Sequence, residues 1–120
     1  MKPSTAFREF EEQKFRLHLQ AEAVRKRMAE MDFVCPGSLH VRTKVCGKSA
    51  CRCAQDVKAR HGPYYEWSRY EGGRLVHRII SKEQGKLVER AIESWRTLER
   101  LLGRWHDQTV QTITAMKRHK

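Results

Sequence analysis

The chain has no long apolar run: nowhere in its 120 residues does a stretch approach the ~18 apolar side chains of a membrane-spanning helix. Nor does the amino terminus, Met1-Lys2-Pro3-Ser4, carry the apolar core of a signal peptide, so the expected location is the cytoplasm and no membrane is expected as a partner. Carboxylates are scarce, with 14 acidic against 25 basic side chains, for a net charge of +11 and a pI near 10.0. In the middle of the chain only Asp56, Glu66 and Glu71 are acidic, and no Ser-His-Asp order, glycine-rich phosphate loop or H-E-x-x-H is present. Those absences argue against an enzyme. With 39% hydrophobic residues there is enough for a modest core, one domain plus extensions.

The most informative residues are three of the four cysteines. Cys46-Gly47-Lys48-Ser49-Ala50-Cys51-Arg52-Cys53 is followed by His61-Gly62-Pro63-Tyr64-Tyr65, giving the spacing C-x4-C-x-C-x7-H. As ligands, Cys46, Cys51, Cys53 and His61 form the soft Cys3His set that suits tetrahedral zinc, and the expectation is one structural zinc per chain. Such a site is closed, with no open coordination position for catalysis. Reduced cysteines without metal and a disulfide remain alternatives. Lys48 and Arg52 would lower the thiol pKa values and favour either a metal or a redox-active thiol, so they do not decide between those two. In a reducing compartment clustered cysteines more often bind metal or do redox chemistry than form structural disulfides. Cys35 stands apart, as a small residue expected to be buried.

Charge is unevenly placed. Residues 1–33 carry seven basic and six acidic side chains, residues 34–81 nine and three, and residues 82–120 nine and five. The excess is greatest in the central segment, where an anionic partner, most commonly nucleic acid, would bind.

Hydrophobic periodicity changes along the chain. Residues 4–31 predict a long helix opened by Ser4 or Thr5, with Phe7, Phe10, Leu17, Ala21, Val24, Met28 and Met31 on a heptad seam broken only at Lys14. A second helix is predicted from the Ser81-Lys82-Glu83-Gln84 capping box to about Lys117. Its seam of Val88, Ala91, Trp95, Leu98, Leu102 and Trp105 continues through Thr109 and Thr112 to Met116, and Leu87, Ile92 and Leu101 widen it. Gly103 costs that helix about 1 kcal/mol relative to alanine. Between the helices the period drops to two. Residues 38–45 predict a strand with Leu39, Val41, Thr43 and Val45 on one face and His40, Arg42 and Lys44 on the other. Residues 64–70 and 74–80 predict a hairpin around Glu71-Gly72-Gly73, with Leu75, His77 and Ile79 facing the core and Arg74, Val76 and Arg78 facing away.

The expected fold is α+β: a small three-stranded antiparallel sheet with a metal-binding loop, flanked by two long coiled-coil-like helices. Its segments are residues 1–33 (helix), 34–81 (sheet and Cys/His loop) and 82–120 (helix). On that plan His40, Arg42, Lys44, Arg69, Arg74 and Arg78 form a cationic sheet face for DNA, since a β-ribbon fits the major groove. Arg96, Arg100 and Arg104 form a second phosphate-binding row on the last helix. Tyr64, Tyr65, Trp67 and Tyr70 are candidates for the core or for stacking on bases. The two heptad seams pair with each other or with a second copy, and because the first carries more apolar surface than a small sheet can cover, oligomerisation, most simply as a homodimer, is expected.

The elements Pro36-Gly37-Ser38-Leu39, CGKxxCxC and HGPYY, continuing to the helix near Arg96, resemble an uncharacterised bacterial family of small mobile-element proteins, over about residues 35–105. The strand order also resembles, more weakly, the three-stranded arm-binding domains of tyrosine recombinases. The resemblance implies a shared fold and a mobile-element setting. Together these readings give the expected function: a DNA-binding accessory protein, assisting a recombinase or transposase. The competing expectations are a protein–protein adaptor with an incidental basic surface, and an RNA-binding module.

Overall fold

The computed structural model describes residues 5–116. Helix α1 spans Thr5–Ala29, strand β1 Ser38–Lys44, β2 His61–Glu71, β3 Arg74–Ile80, and helix α2 Lys82–Thr114; two single-turn 3-10 helices, Arg52–Ala54 and Val57–Ala59, lie between β1 and β2. This is the α+β arrangement expected. Residue Ser4, a candidate cap, lies outside the described residues, as does Lys117; α2 ends at Thr114, three residues before the expected end. Among the described residues no helix is long and apolar enough to cross a membrane.

The chain divides into two compact units, one of residues up to Asp32 together with those from Arg96 on, the other Phe33–Trp95. In the first, α1 and the later part of α2 pack side by side. Ala21 and Val24 are buried, as are Leu101 and Thr112. A polar ladder fixes the pairing: the Gln108 side-chain amide donates to the Gln13 side-chain oxygen at 2.6 Å, and the Thr112 hydroxyl lies 3.2 Å from the Gln13 backbone carbonyl. The heptad seam of α1 is therefore satisfied within the chain at its centre, while Phe7 and Met28 near its ends stay exposed. Of the two pairings open to the seam, the other helix or a second copy, the chain makes the first along this stretch.

Gly103 in this unit is an exposed helical position where an added Cβ meets nothing within 4 Å. With only the backbone-entropy term left, Gly103→Ala should stabilise the protein by about 0.5–1 kcal/mol. A higher urea midpoint at unchanged m-value is the readout, and no shift would mean that this turn is not helical in solution.

In the second unit the strands form a meander of order β1-β2-β3, antiparallel throughout. A two-residue turn, Gly72-Gly73 with φ of +58° and +82°, joins β2 to β3 and pairs Glu71 with Arg74. Positive φ at both central residues is what a tight hairpin of right-handed twist requires. The capping box at α2 forms as the sequence predicts: the Ser81 N–H donates to Gln84 Oε1 at 2.9 Å and the Gln84 N–H to Ser81 Oγ at 3.1 Å. Gly85, in the first turn, rests on the Tyr65 ring so closely that a Cβ there would come within 3.2 Å of it. The first part of α2 thus covers one sheet face, burying Val88, Ala91 and Ile92.

Directly opposed residues in antiparallel strands share a face. Register therefore puts Leu39, Val41, Tyr65, Trp67, Arg69, Val76, Arg78 and Ile80 on the helix-covered side, and Ser38, His40, Arg42, Tyr64, Glu66, Ser68, Leu75, His77 and Ile79 on the open side. For β1 this agrees with the sequence from Leu39 to Arg42, but of the expected inward set only Leu39 is half-buried: Val41, Thr43 and Val45 are exposed, and Val45 lies beyond the strand. For β3 it is the reverse: Val76 and Ile80 are half-buried, Leu75 and Ile79 are exposed, and Arg74 and Arg78 belong to the same side as Val76.

A candidate metal centre and the cations around it

After β1 the chain turns through Gly47, at φ +84°, into a compact knuckle. The Cys51 N–H donates to the Lys48 carbonyl at 3.1 Å, closing the turn that separates the first two cysteines. The 3-10 turn Arg52–Ala54 then points Cys53 inward, making it the buried member of the cluster. Asp56 caps the next turn by accepting from the Lys58 N–H at 3.0 Å. Strand β2 opens with His61, which pairs with Lys44 at the end of β1, beyond a register shift between Arg42 and Lys44. Gly62 makes that closure feasible: its φ is +119°, and a Cβ there would lie 2.9 Å from the Arg42 carbonyl oxygen.

These local choices bring Cys46, Cys51, Cys53 and His61 together, with the four ligand atoms all within 4.8 Å of one another. Cys53 Sγ lies 3.5 Å from Cys46 Sγ, and Cys51 Sγ lies 3.4 Å from His61 Nε2. A tetrahedral ion with metal–sulfur bonds of ~2.3 Å would have sulfur–sulfur edges of about 3.8 Å, so the cluster has the dimensions of a metal site. The sulfurs are also well beyond the ~2.05 Å of a disulfide, and all four cysteines are free. The Cys46 N–H donates to Cys53 Sγ at 3.4 Å, a contact that favours a thiolate at that sulfur. The four residues can hold a metal ion.

Ionisation within the cluster is graded. The Cys51 thiol is held below its ordinary value, first by the backbone N–H of Cys53 and then by the Cys53 and Cys46 thiols. Cys53 goes the other way. The backbone N–H of Cys46 pulls it down, but burial, together with the neighbouring thiols and the charge at Cys46, outweighs that pull. Cys51 is therefore the first of the two to ionise, and a cation at the centre would relieve the crowding that holds Cys53 up. Cys35 lies outside the cluster. Burial raises its thiol against the opposing effect of Arg69, and its N–H donates to the Ala91 carbonyl at 3.2 Å.

A family model described as Domain of unknown function (DUF6788) matches residues 14–90. The chain belongs to that family. The DUF6788 match takes in all four cluster residues and all three strands, and it starts well before the stretch from residue 35 on which the resemblance was read. Neither curated proteins nor solved structures offer a match.

Within the DUF6788 region the expected cationic residues separate. His40, Arg42 and Lys44 are exposed on the open side of β1. Arg42 is engaged by Glu66, at 3.3 Å, and Lys44 lies over the Tyr64 ring, 5.4 Å from its centre. Arg69 is committed elsewhere: its guanidinium stacks on Trp67 at 4.1 Å and pairs with Glu71 at 3.2 Å, leaving its side chain only 20% exposed. Arg74 and Arg78 are exposed but lie on the opposite side from His40 and Arg42, so the six residues do not make one surface. Beyond the DUF6788 match, Arg96, Arg100 and Arg104 are exposed at four-residue steps on α2.

The open side also holds Ser68, His77 and Glu66 in contact, which invites comparison with a hydrolase triad. Ser68 Oγ is 2.6 Å from His77 Nδ1, and Glu66 Oε1 is 3.7 Å from the same nitrogen. A triad needs its serine and carboxylate at opposite ring nitrogens, with the nucleophile accessible, and Ser68 is buried. With Arg42, these side chains form a polar tie across three strands.

Strand alternation missed a further set of cations. Lys48, Arg52, Lys58 and Arg60 are all exposed on the knuckle, each within three residues of a cluster ligand. The available signal was compositional: four basic residues against one acidic in residues 45–60.

Proposed function

We propose that the chain is a zinc-stabilised, duplex-DNA-binding protein. The observation that carries this reading is the concentration of exposed positive charge on the sheet-and-knuckle unit, where residues 34–81 hold nine basic and three acidic side chains around the Cys/His cluster. Zinc is the ion that three thiolates and an imidazole in a small tetrahedral cluster select, and it would hold a loop that buries too little to hold itself. Four protein ligands would close the coordination sphere, which supports a structural rather than a catalytic metal and, with it, a non-enzymatic reading. The mobile-element resemblance supplies the biological setting, as an accessory factor beside a recombinase or transposase, and pairing of two copies through exposed helix surface would suit paired half-sites.

The test is binding of the metal-loaded protein to duplex DNA, single-stranded DNA and RNA across a salt series. Duplex binding whose log affinity falls linearly with log salt, by about four or more units per decade, is the expected result. No duplex binding at ~100 mM salt, or weak binding with a slope near zero, would overturn the reading in favour of an adaptor whose charge is incidental.

A further inference from the structure

We propose that the metal-clamped knuckle itself, rather than the open face of the sheet, grips the phosphate backbone, through Lys48, Arg52, Lys58 and Arg60. The inference rests on the DNA-binding reading above and names the surface that performs it.

The first ground is the state of the cations. Among the described residues no carboxylate comes within 4.0 Å of Lys48, Lys58 or Arg60. Arg52 approaches only Asp56, at 3.8 Å, and its side chain is 86% exposed. Asp56 is itself occupied in capping the second 3-10 turn. On the open sheet face, by contrast, Arg42 is neutralised by Glu66. A phosphate therefore meets three unpaired cations at the knuckle, Lys48, Lys58 and Arg60, beside the looser Arg52–Asp56 pair, whereas Arg42 on the sheet is already engaged, and breaking a pair costs part of the attraction gained.

The second ground is rigidity without a core. Residues 45–60 bury a single side chain, Cys53, and leave Val45 and Val57 exposed. The segment adds little to the hydrophobic core, yet it is ordered by two 3-10 turns, a side-chain cap and four converging ligands. Its cations follow that order. Lys48 supplies the carbonyl of the turn leading to Cys51, Arg52 separates Cys51 from Cys53, and Arg60 precedes His61. Holding their backbone in place reduces the ordering cost when phosphates bind. Three thiolates around a divalent ion leave one net negative charge at the centre, which four outward cations outnumber. Lys44, paired with His61, extends the same surface into β1.

The experiment uses the full chain loaded with zinc and a 20-base-pair duplex, read by fluorescence anisotropy over a salt series. Lys48→Ala, Arg52→Ala, Lys58→Ala and Arg60→Ala are combined, leaving every ligand intact; metal content and melting are measured on the same sample. The combined variant should lose on the order of 100-fold or more in affinity, with a salt slope flatter by about three to four units. Removing two exposed cations of α2, Lys82→Ala with Lys86→Ala, should change the slope by less than about one unit. If the combined variant has lost its metal, Lys58→Ala and Arg60→Ala are read singly, each expected to cost about one unit of slope. Duplex binding in the wild type with an unchanged slope in the knuckle variants would overturn this inference and leave the DNA-binding reading standing. No salt-dependent duplex binding in the wild type, or tighter binding to RNA than to DNA, would overturn both.

Discussion

Cys53→Ser should remove stoichiometric zinc and lower the melting temperature by at least about 10 °C. Cys53 is the buried ligand, 3.5 Å from Cys46 Sγ and bonded to by the Cys46 N–H, so its loss breaks the coordination shell and its backbone support together. A serine hydroxyl in its place is a hard, poorly ionised donor with a shorter reach. Apparent binding free energies of ~10–16 kcal/mol are typical of small structural zinc sites, and even about 2 kcal/mol of lost coupling shifts the melting of a domain this size by roughly 10 °C. The loss should be confined at first to the knuckle, where amide exchange over residues 45–61 rises while the hairpin Tyr64 to Ile80 stays protected. Lowering the pH should produce the same local loss in the wild type, because protons compete with metal for the thiolates and the imidazole. Cys35→Ser, outside the cluster, should keep its metal. Wild-type protein purified without chelator that carries no metal, or a Cys53→Ser variant still holding one ion per chain, would remove the zinc site.

The cluster was legible because metal ligation is a short-range matter of residue type and spacing. Cys46, Cys51, Cys53 and His61 lie within sixteen consecutive residues, so bringing them together costs little loop-closure entropy. The capping box at Ser81 and Gln84 was legible for the same reason, since both bonds span three residues. The face of β3 was not. In Arg74-Leu75-Val76-His77-Arg78-Ile79-Ile80 both phases of the alternation carry large apolar side chains, so composition leaves the choice to register. Counting Glu71 into the loop shifts the pairing by one residue and turns every side chain of β3 over. The structure closes the hairpin with Gly72 and Gly73 alone and pairs Glu71 with Arg74.

The wide apolar stripe of α2 misled in a different way. It reads as one broad face, but it serves two units in succession. Val88, Ala91 and Ile92 are buried early in the helix, Leu101 and Thr112 later. The first set belongs to the sheet-bearing unit and the second to the helical one. A periodicity argument averages over the two sets, and the exposed Trp95 and Leu102 on the predicted seam are the residue of that averaging. The polar ladder of Gln13, Gln108 and Thr112 was invisible for a related reason: glutamine on a helix reads as solvent-facing until the partner carbonyl is known.

Val24→Lys should unfold the helical unit, costing about 3–5 kcal/mol, whatever the state of association. Val24 is 2% exposed within a single chain, so a lysine there brings an unpaired ammonium into apolar surroundings, or forces α1 away from its neighbour to reach water. Thermal unfolding should show the loss as a fall of roughly 12–20 °C or more, with helical circular dichroism reduced before heating. Association, by contrast, should depend on the opposite side of α1, where Phe15 and Leu19 are exposed one turn apart, some 120° or more around the helix from Ala21 and Val24. Phe15→Glu with Leu19→Lys removes that apolar pair without touching the buried face. It should leave melting at low concentration nearly unchanged, within about 0.5 kcal/mol of wild type, and convert a dimer mass to a monomer mass in light scattering. Full wild-type stability in Val24→Lys would mean that α1 does not pack as described. A mass unaffected by the Phe15 and Leu19 pair would place any dimer contact elsewhere, and a wild-type monomer at micromolar concentration would leave each copy to bind its DNA site alone.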